Sequence, residues 1–141
     1  MKINNPFSKT RFLALLPLIL VMILDLVFTL VGQPKGYWQN YEFFNEAGPL
    51  GKFFLSLHPV SFVGFLIIYI LFVLFFVSNL KKPLSIIVYI TFFLGHVWGS
   101  SSWIPLLFNR FSSLRIDDWY LNIGYFVIIA IITGFCLNKS D

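Results

Sequence analysis

A single carboxylate, Asp25, stands inside the apolar run "VMILDLVFTLVG" (21–32), and Thr29 follows it four residues later on the same side of a helix. Placing an aspartate at the centre of a membrane helix costs roughly 2.5–3.5 kcal/mol, so such a group needs a partner or a task. A second ionisable group, His96, lies in another apolar run, within "LGHVWGSSSW". A carboxylate and an imidazole together can act as acid and base, or hold a polar ligand. Tyr125 and Asn122 add a hydroxyl and an amide in the last apolar run, while Glu46 and His58 lie in the long stretch between the first two runs. We read Asp25, Thr29, His96, Tyr125 and Asn122 as one polar cluster, lidded by Glu46 and His58.

Other chemistries draw on the same residues. Asp25, Glu46, His58 and His96 are ligand types for zinc or a similar divalent ion, though no local spacing such as H-E-x-x-H joins them. An aspartyl hydrolase needs two carboxylates sharing a proton. Only Asp25 is within a span, so Glu46 or Asp118 would have to fold down toward it. The segment "FNRFSSLRIDDWYLN" does not carry the motifs of lipoprotein signal peptidase. A serine route would use His96 and Ser100, one turn apart on one helix, whereas rhomboid-type enzymes place serine and histidine on different helices. Cys136 is the only cysteine, which excludes an internal disulfide and a multi-cysteine metal site.

The elements that position these groups are set by composition. Of the 141 residues, 58% are hydrophobic and only 11% charged. A soluble domain of this size needs a polar coat that this composition cannot supply. Four apolar runs, 12–31, 61–77, 84–103 and 119–137, are each close to the ~20 residues that a helix needs to cross ~30 Å of hydrocarbon. The runs are continuous and not alternating, which argues against a membrane barrel. The expectation is an all-α, four-transmembrane-helix bundle forming a single integral membrane domain over 1–141. The first run is read as a retained span and not a signal peptide, because it reaches full spanning length, lacks a small-x-small cleavage site and carries Asp25.

Orientation follows from lysine and arginine. Lys2, Lys9, Arg11, Lys81, Lys82 and Lys139 fall on one side, and Lys35, Lys52, Arg110 and Arg115 on the other. The bias places both termini in the cytoplasm, and we read a bacterial cell membrane. The short turn "SNLKKPL" makes the second and third spans an antiparallel pair. The two outer segments are rich in aromatic residues, and each is expected to lie at the interface. The first is expected to hold a short surface helix over 37–47, ended by Gly48-Pro49, and the second an interfacial helix built on Leu107, Phe108, Phe111 and Leu114. There Arg110 and Arg115 would face water or phosphate, and Asp117-Asp118 would start the last helix.

Depth counting brings the polar residues together. At 1.5 Å per residue, Asp25 lies about 21 Å above Arg11, His96 about 21 Å above Lys82, and Tyr125 about 21 Å above Lys139. Asn122 lies about one turn higher. Gly95 and Gly99 form a G-x-x-x-G pair beside the stripe Ser85, Tyr89, His96, Ser100, Trp103, which would let a neighbouring helix approach closely. Asp25 and His96 are therefore expected to face each other inside the bundle.

The stretch "LDLVFTLVGQ…NEAGPLG" resembles the pattern D-x-x-x-T, then a short loop, then E-x-N-P-L, of small prokaryotic membrane proteins in a domain family of unknown function. Asp25, Thr29, Glu46, Pro49 and Leu50 are the matching positions, and Gly48 stands where that pattern has Asn. The likeness covers the first third of the chain. It implies that Asp25, Thr29 and Glu46 belong together, with the first outer loop folded back over the bundle.

Two functions remain open. One is a binding or scaffold protein that holds a lipid, an ion, another membrane subunit or a second copy of itself. The other is a membrane-embedded hydrolase acting on a lipid-linked or membrane-peptide substrate. Lipids are partners in either case. Nucleic acid is not, since the net charge of +4 is spread over segment ends. The sequence leaves the cofactor unknown.

Overall fold

The computed structural model describes residues 9–139. Within them the chain is helical throughout its ordered elements: α1 (Lys9–Gly32), two short 3₁₀ turns (Lys35–Trp38 and Tyr41–Phe43), α2 (Pro49–Leu57), α3 (Pro59–Asn79), α4 (Leu84–Phe111) and α5 (Asp118–Asn138). Four helices, α1, α3, α4 and α5, are long and apolar enough to cross a membrane. The result is an all-α four-helix bundle of a multi-pass membrane protein.

The chain passes up and down. α1 and α4 run in one direction, α3 and α5 in the other. One end carries the tight α3–α4 hairpin, and the opposite, loop end carries residues 33–58 and the α4–α5 connection. α4 packs most extensively on α1, and α1 also touches α3 and α5. Toward the hairpin end, Leu18, Met22, Val73 and Val77 form a buried core. Val21, Val97, Tyr125 and Ile129 knit α1, α4 and α5 together. The outer faces stay apolar: Ile68, Leu71, Phe72 and Phe75 of α3 are all more than half exposed, as a lipid-facing surface requires.

Local chemistry sets the ends. Ser85 Oγ donates to the Val77 carbonyl (2.6 Å) and closes the α3–α4 hairpin. Asp117 caps α5 by accepting from the Trp119 N–H (2.8 Å), the expected helix start. His58 joins α2 to α3 in extended conformation, and its Nδ1 accepts from the Val60 N–H (3.1 Å).

Both segments at the loop end differ from expectation in form. No helix spans 37–47. Residues 35–43 make the two 3₁₀ turns, and the α-helix begins where a stop was expected, with Gly48 as its N-cap and Pro49 in its first turn. Proline suits the start of a helix because its missing N–H would be unpaired there in any case. The second segment is not a separate interfacial helix. α4 continues unbroken through Pro105 to Phe111. Its 28 residues span about 42 Å, well beyond the ~30 Å of hydrocarbon. A proline inside a membrane helix is tolerated when neighbouring helices compensate.

Candidate functional site

Asp25 and His96 meet across the α1–α4 interface. Asp25 Oδ2 lies 2.8 Å from His96 Nδ1, and the two side chains are 22% and 14% exposed. A carboxylate can only accept, so Nδ1 carries the hydrogen. The other ring nitrogen, Nε2, lies 3.4 Å from Tyr69 Oη of α3. Three helices thus contribute to one hydrogen-bonded row.

Tyr69 is absent from a cluster built on Cα heights. Helical side chains lean toward the N-terminus of their own helix. α3 runs opposite to α4, so Tyr69 leans toward the loop end while His96 leans toward the hairpin end. The two rings converge to 5.7 Å between centroids.

Gly99, one turn beyond His96, creates the space for the acid. A Cβ placed there would lie 2.8 and 2.9 Å from the two Asp25 carboxylate oxygens. Gly95 has no neighbour within 4 Å of such a Cβ, so the expected G-x-x-x-G contact is not a two-glycine seam. Only Gly99 admits close approach, and what approaches is a carboxylate.

The row opens into a cavity of about 620 Å³. Asp25, Thr29, Tyr69 and His96 line it from the helices, and Glu46 from the loop. Apolar walls come from Leu26, Phe62, Phe65, Leu66, Trp98 and Leu106. Asp25, Thr29, Glu46, Pro49 and Leu50, the five positions of the sequence pattern noted above, all border this space.

The loop is folded over the cavity by Gln33, a residue the depth count does not reach. Its side chain is 1% exposed. Nε2 donates to the Thr29 carbonyl (2.8 Å) and the Asn45 carbonyl (3.1 Å), and Oε1 accepts from the Asn45 N–H (2.8 Å). This holds Asn45, and with it Glu46, above the helices. Glu46 Oε1 accepts from the Gly48 N–H (2.8 Å) as the chain turns into α2. Tyr37 anchors the far side of the loop: it is fully buried and its hydroxyl donates to the Leu55 carbonyl (3.1 Å). Burial pushes the Tyr37 phenol above its usual pKa, and Tyr41 adds to the rise.

Arg110, expected to face water or phosphate, is exposed and also caps α1. Nη1 donates to the Val31 carbonyl (2.7 Å) and Nη2 to the Gly32 carbonyl (3.1 Å), and both reach Gln33 O at 3.3 Å. The last carbonyls of a helix have no partners within it, and a cation there also suits the helix dipole. The overhanging end of α4 makes this reach possible. Nearby, a Cβ at Gly32 would collide with the buried Trp103 ring, so glycine permits α1 and α4 to close there.

Three of the expected site residues lie elsewhere. Tyr125 is buried in the α1–α4–α5 core, where its hydroxyl pairs with Ser100 Oγ (2.7 Å), and it does not border the cavity. Asn122 is also outside the cavity, and its Oδ1 is buried with no hydrogen-bond partner among the described residues. Tyr125 shares the counted height of the Asp25–His96 pair and Asn122 lies about one turn higher, but both sit on α5 and neither borders the cavity. His58 does not lid the cavity: its ring packs edge-on against Tyr41 at 4.9 Å while Nδ1 caps α3. Asp25, Glu46, His58 and His96 do not gather as zinc ligands. Among the described residues no three of His, Cys, Asp and Glu come close enough together to hold a metal ion. Comparison with family models, curated proteins and solved structures finds no match for this chain.

Proposed function

We propose that this is a binding protein of the cell membrane that captures an amphipathic ligand in the cavity between α1, α3 and α4. The ligand's polar head meets Asp25, His96 and Tyr69, and its apolar part lies along Phe62, Phe65 and Trp98. The observation that carries this reading is the Asp25–His96 pair opening into a roofed cavity. Hiding a charged pair in low dielectric carries a desolvation cost, and a pair left beside open space can instead meet water or the polar head of a ligand. Here the pair is left facing space of the size that ligand sites use. The roof is fixed through Gln33, so the cavity is preorganised. The lysine and arginine distribution supports both termini in the cytoplasm and the roofed end on the outer side.

The test is the set of small amphiphiles that purify with the protein, identified by mass spectrometry. Wild type carries a bound species. Asp25→Asn, at equal membrane abundance and oligomeric state, loses it. An identical complement in both proteins would refute the reading.

One geometric feature favours a second reading, that of a membrane-embedded enzyme. Asp25 holds His96 through Nδ1 at the edge of the cavity, the arrangement by which a carboxylate orients a general base. The state of the captured molecule separates the two. If binding is the whole function, wild type and His96→Gln return the same intact species and differ only in amount; if His96 is a base, wild type converts the species and His96→Gln does not.

A further inference from the structure

We infer that the captured ligand is an amphiphile with a primary ammonium head. This rests on the capture reading and adds the charge and hydrogen-bonding character of what is captured.

The charged side chains that line the cavity are two acids, Asp25 and Glu46, together with the imidazole of His96. No lysine or arginine borders it among the described residues, Lys52 beside Gly51 included. An anionic head would therefore meet two carboxylates with no cation to offset them. The field of the cavity favours a cation.

Hydrogen-bond capacity narrows the head further. Asp25 uses Oδ2 for His96, and Oδ1 has no partner among the described residues. Glu46 uses Oε1 for the Gly48 N–H, and Oε2 likewise has no partner. His96 Nε2 is engaged with the Tyr69 hydroxyl and is not counted among the open acceptors. The cavity thus presents two carboxylate oxygens without partners, and of its hydroxyls at Thr29, Tyr69 and Ser102 the last two are already directed at His96 and at the Gly99 carbonyl. A primary ammonium brings three donors and no acceptor. A quaternary ammonium brings charge alone, an alcohol brings one donor without charge, and a phosphate brings acceptors and the wrong sign.

The walls suit the rest of such a molecule. Phe65, Tyr69 and Trp98 offer aromatic faces, which attract cations. Trp98 is 74% exposed and borders the cavity, so the apolar tail has a path from the head site to the outer surface of the bundle.

The test uses the full chain in phosphatidylcholine nanodiscs, whose lipids carry no primary amine. Dodecylamine, dodecyltrimethylammonium, dodecanol and dodecyl phosphate are titrated against tryptophan fluorescence, with Trp98→Phe identifying the cavity signal. Dodecylamine is expected to saturate at a concentration about tenfold or more below dodecanol, as hydrogen bonds to charged groups imply. Dodecyltrimethylammonium is expected to be weaker than dodecylamine. Glu46→Gln keeps an oxygen for the Gly48 N–H, and hence the loop, yet loses most of the amine's advantage. Asp25→Asn loses the remainder. Dodecanol or dodecyl phosphate binding as tightly as the amine, or an amine preference unchanged in both variants, would overturn the ammonium assignment and leave capture standing. If none of the four probes gives a saturable signal that depends on Trp98, capture itself fails.

Discussion

Replacing Gly99 with alanine tests whether the Asp25–His96 pair depends on a missing methyl group. The added Cβ would stand 2.8 and 2.9 Å from the carboxylate oxygens, inside ordinary van der Waals contact. The carboxylate sits on a short side chain of α1 and must move away from α4, which stretches its 2.8 Å contact with His96. A hydrogen bond involving a charged group contributes about 1.5–3 kcal/mol. Alanine also gains about 0.8–1 kcal/mol over glycine within a helix. Gly95→Ala isolates that second effect, because its Cβ would meet open space. Subtracting one variant from the other leaves the pair alone. Gly99→Ala should therefore be about 1.5–3 kcal/mol less stable than Gly95→Ala. Reversible unfolding in mixed detergent micelles, followed by tryptophan fluorescence, measures the difference. The His96 ring nitrogen shifts report directly whether Nδ1 still donates. Equal stabilities with an unchanged His96 spectrum would mean that the carboxylate does not occupy the notch beside Gly99, and the site as described would be wrong.

Three further outcomes are expected. Gln33→Ala strands buried partners at Thr29 and Asn45, at a cost of about 1–3 kcal/mol, and raises amide exchange first at Asn45 and Glu46; exchange rising equally along α1 would contradict a local role. Arg110→Ala uncaps α1, so limited proteolysis should cut near residues 33–36 sooner than in wild type, while Arg115→Ala should leave the rate unchanged. Tyr37 should be a late-titrating phenol by ultraviolet absorbance. Its folded pKa is raised above 10.0, so its contribution to stability is complete below that value and is lost as pH climbs through the folded pKa; a loop that loosens while pH is still below 10 would point to another group.

The four spans were readable because hydrophobic run length alone sets them, and Asp25 stood out because nothing near it in sequence is polar enough to solvate it. Its partner was readable too, since α1 and α4 start from the same end and a simple rise per residue puts both groups at one height. That arithmetic treats a side chain as a point at its Cα. It therefore paired Asp25 with Tyr125, which has the right height but the wrong azimuth, and passed over Tyr69, which reaches the site by leaning. The Gly48-Pro49 step was ambiguous, because the same dipeptide ends one helix or begins the next. Gln33 went unread, and Arg110 was read only as a charge facing water or phosphate, for a related reason. Their partners are backbone carbonyls and N–H groups, which every residue has and which no side-chain pattern marks.

α4 is the common axle of the molecule. Ser85 reaches α3, His96 reaches α1, Ser100 reaches α5, and Trp103 covers the end of α1 at Gly32. One extra residue between Ser85 and His96 would rotate everything beyond it by about 100°, turning the imidazole, the serine and the indole away from three different neighbours in a single step. A one-residue insertion there should be far more damaging than any conservative replacement, whereas the same insertion after Cys136, past the last buried side chain of α5, should pass almost unnoticed.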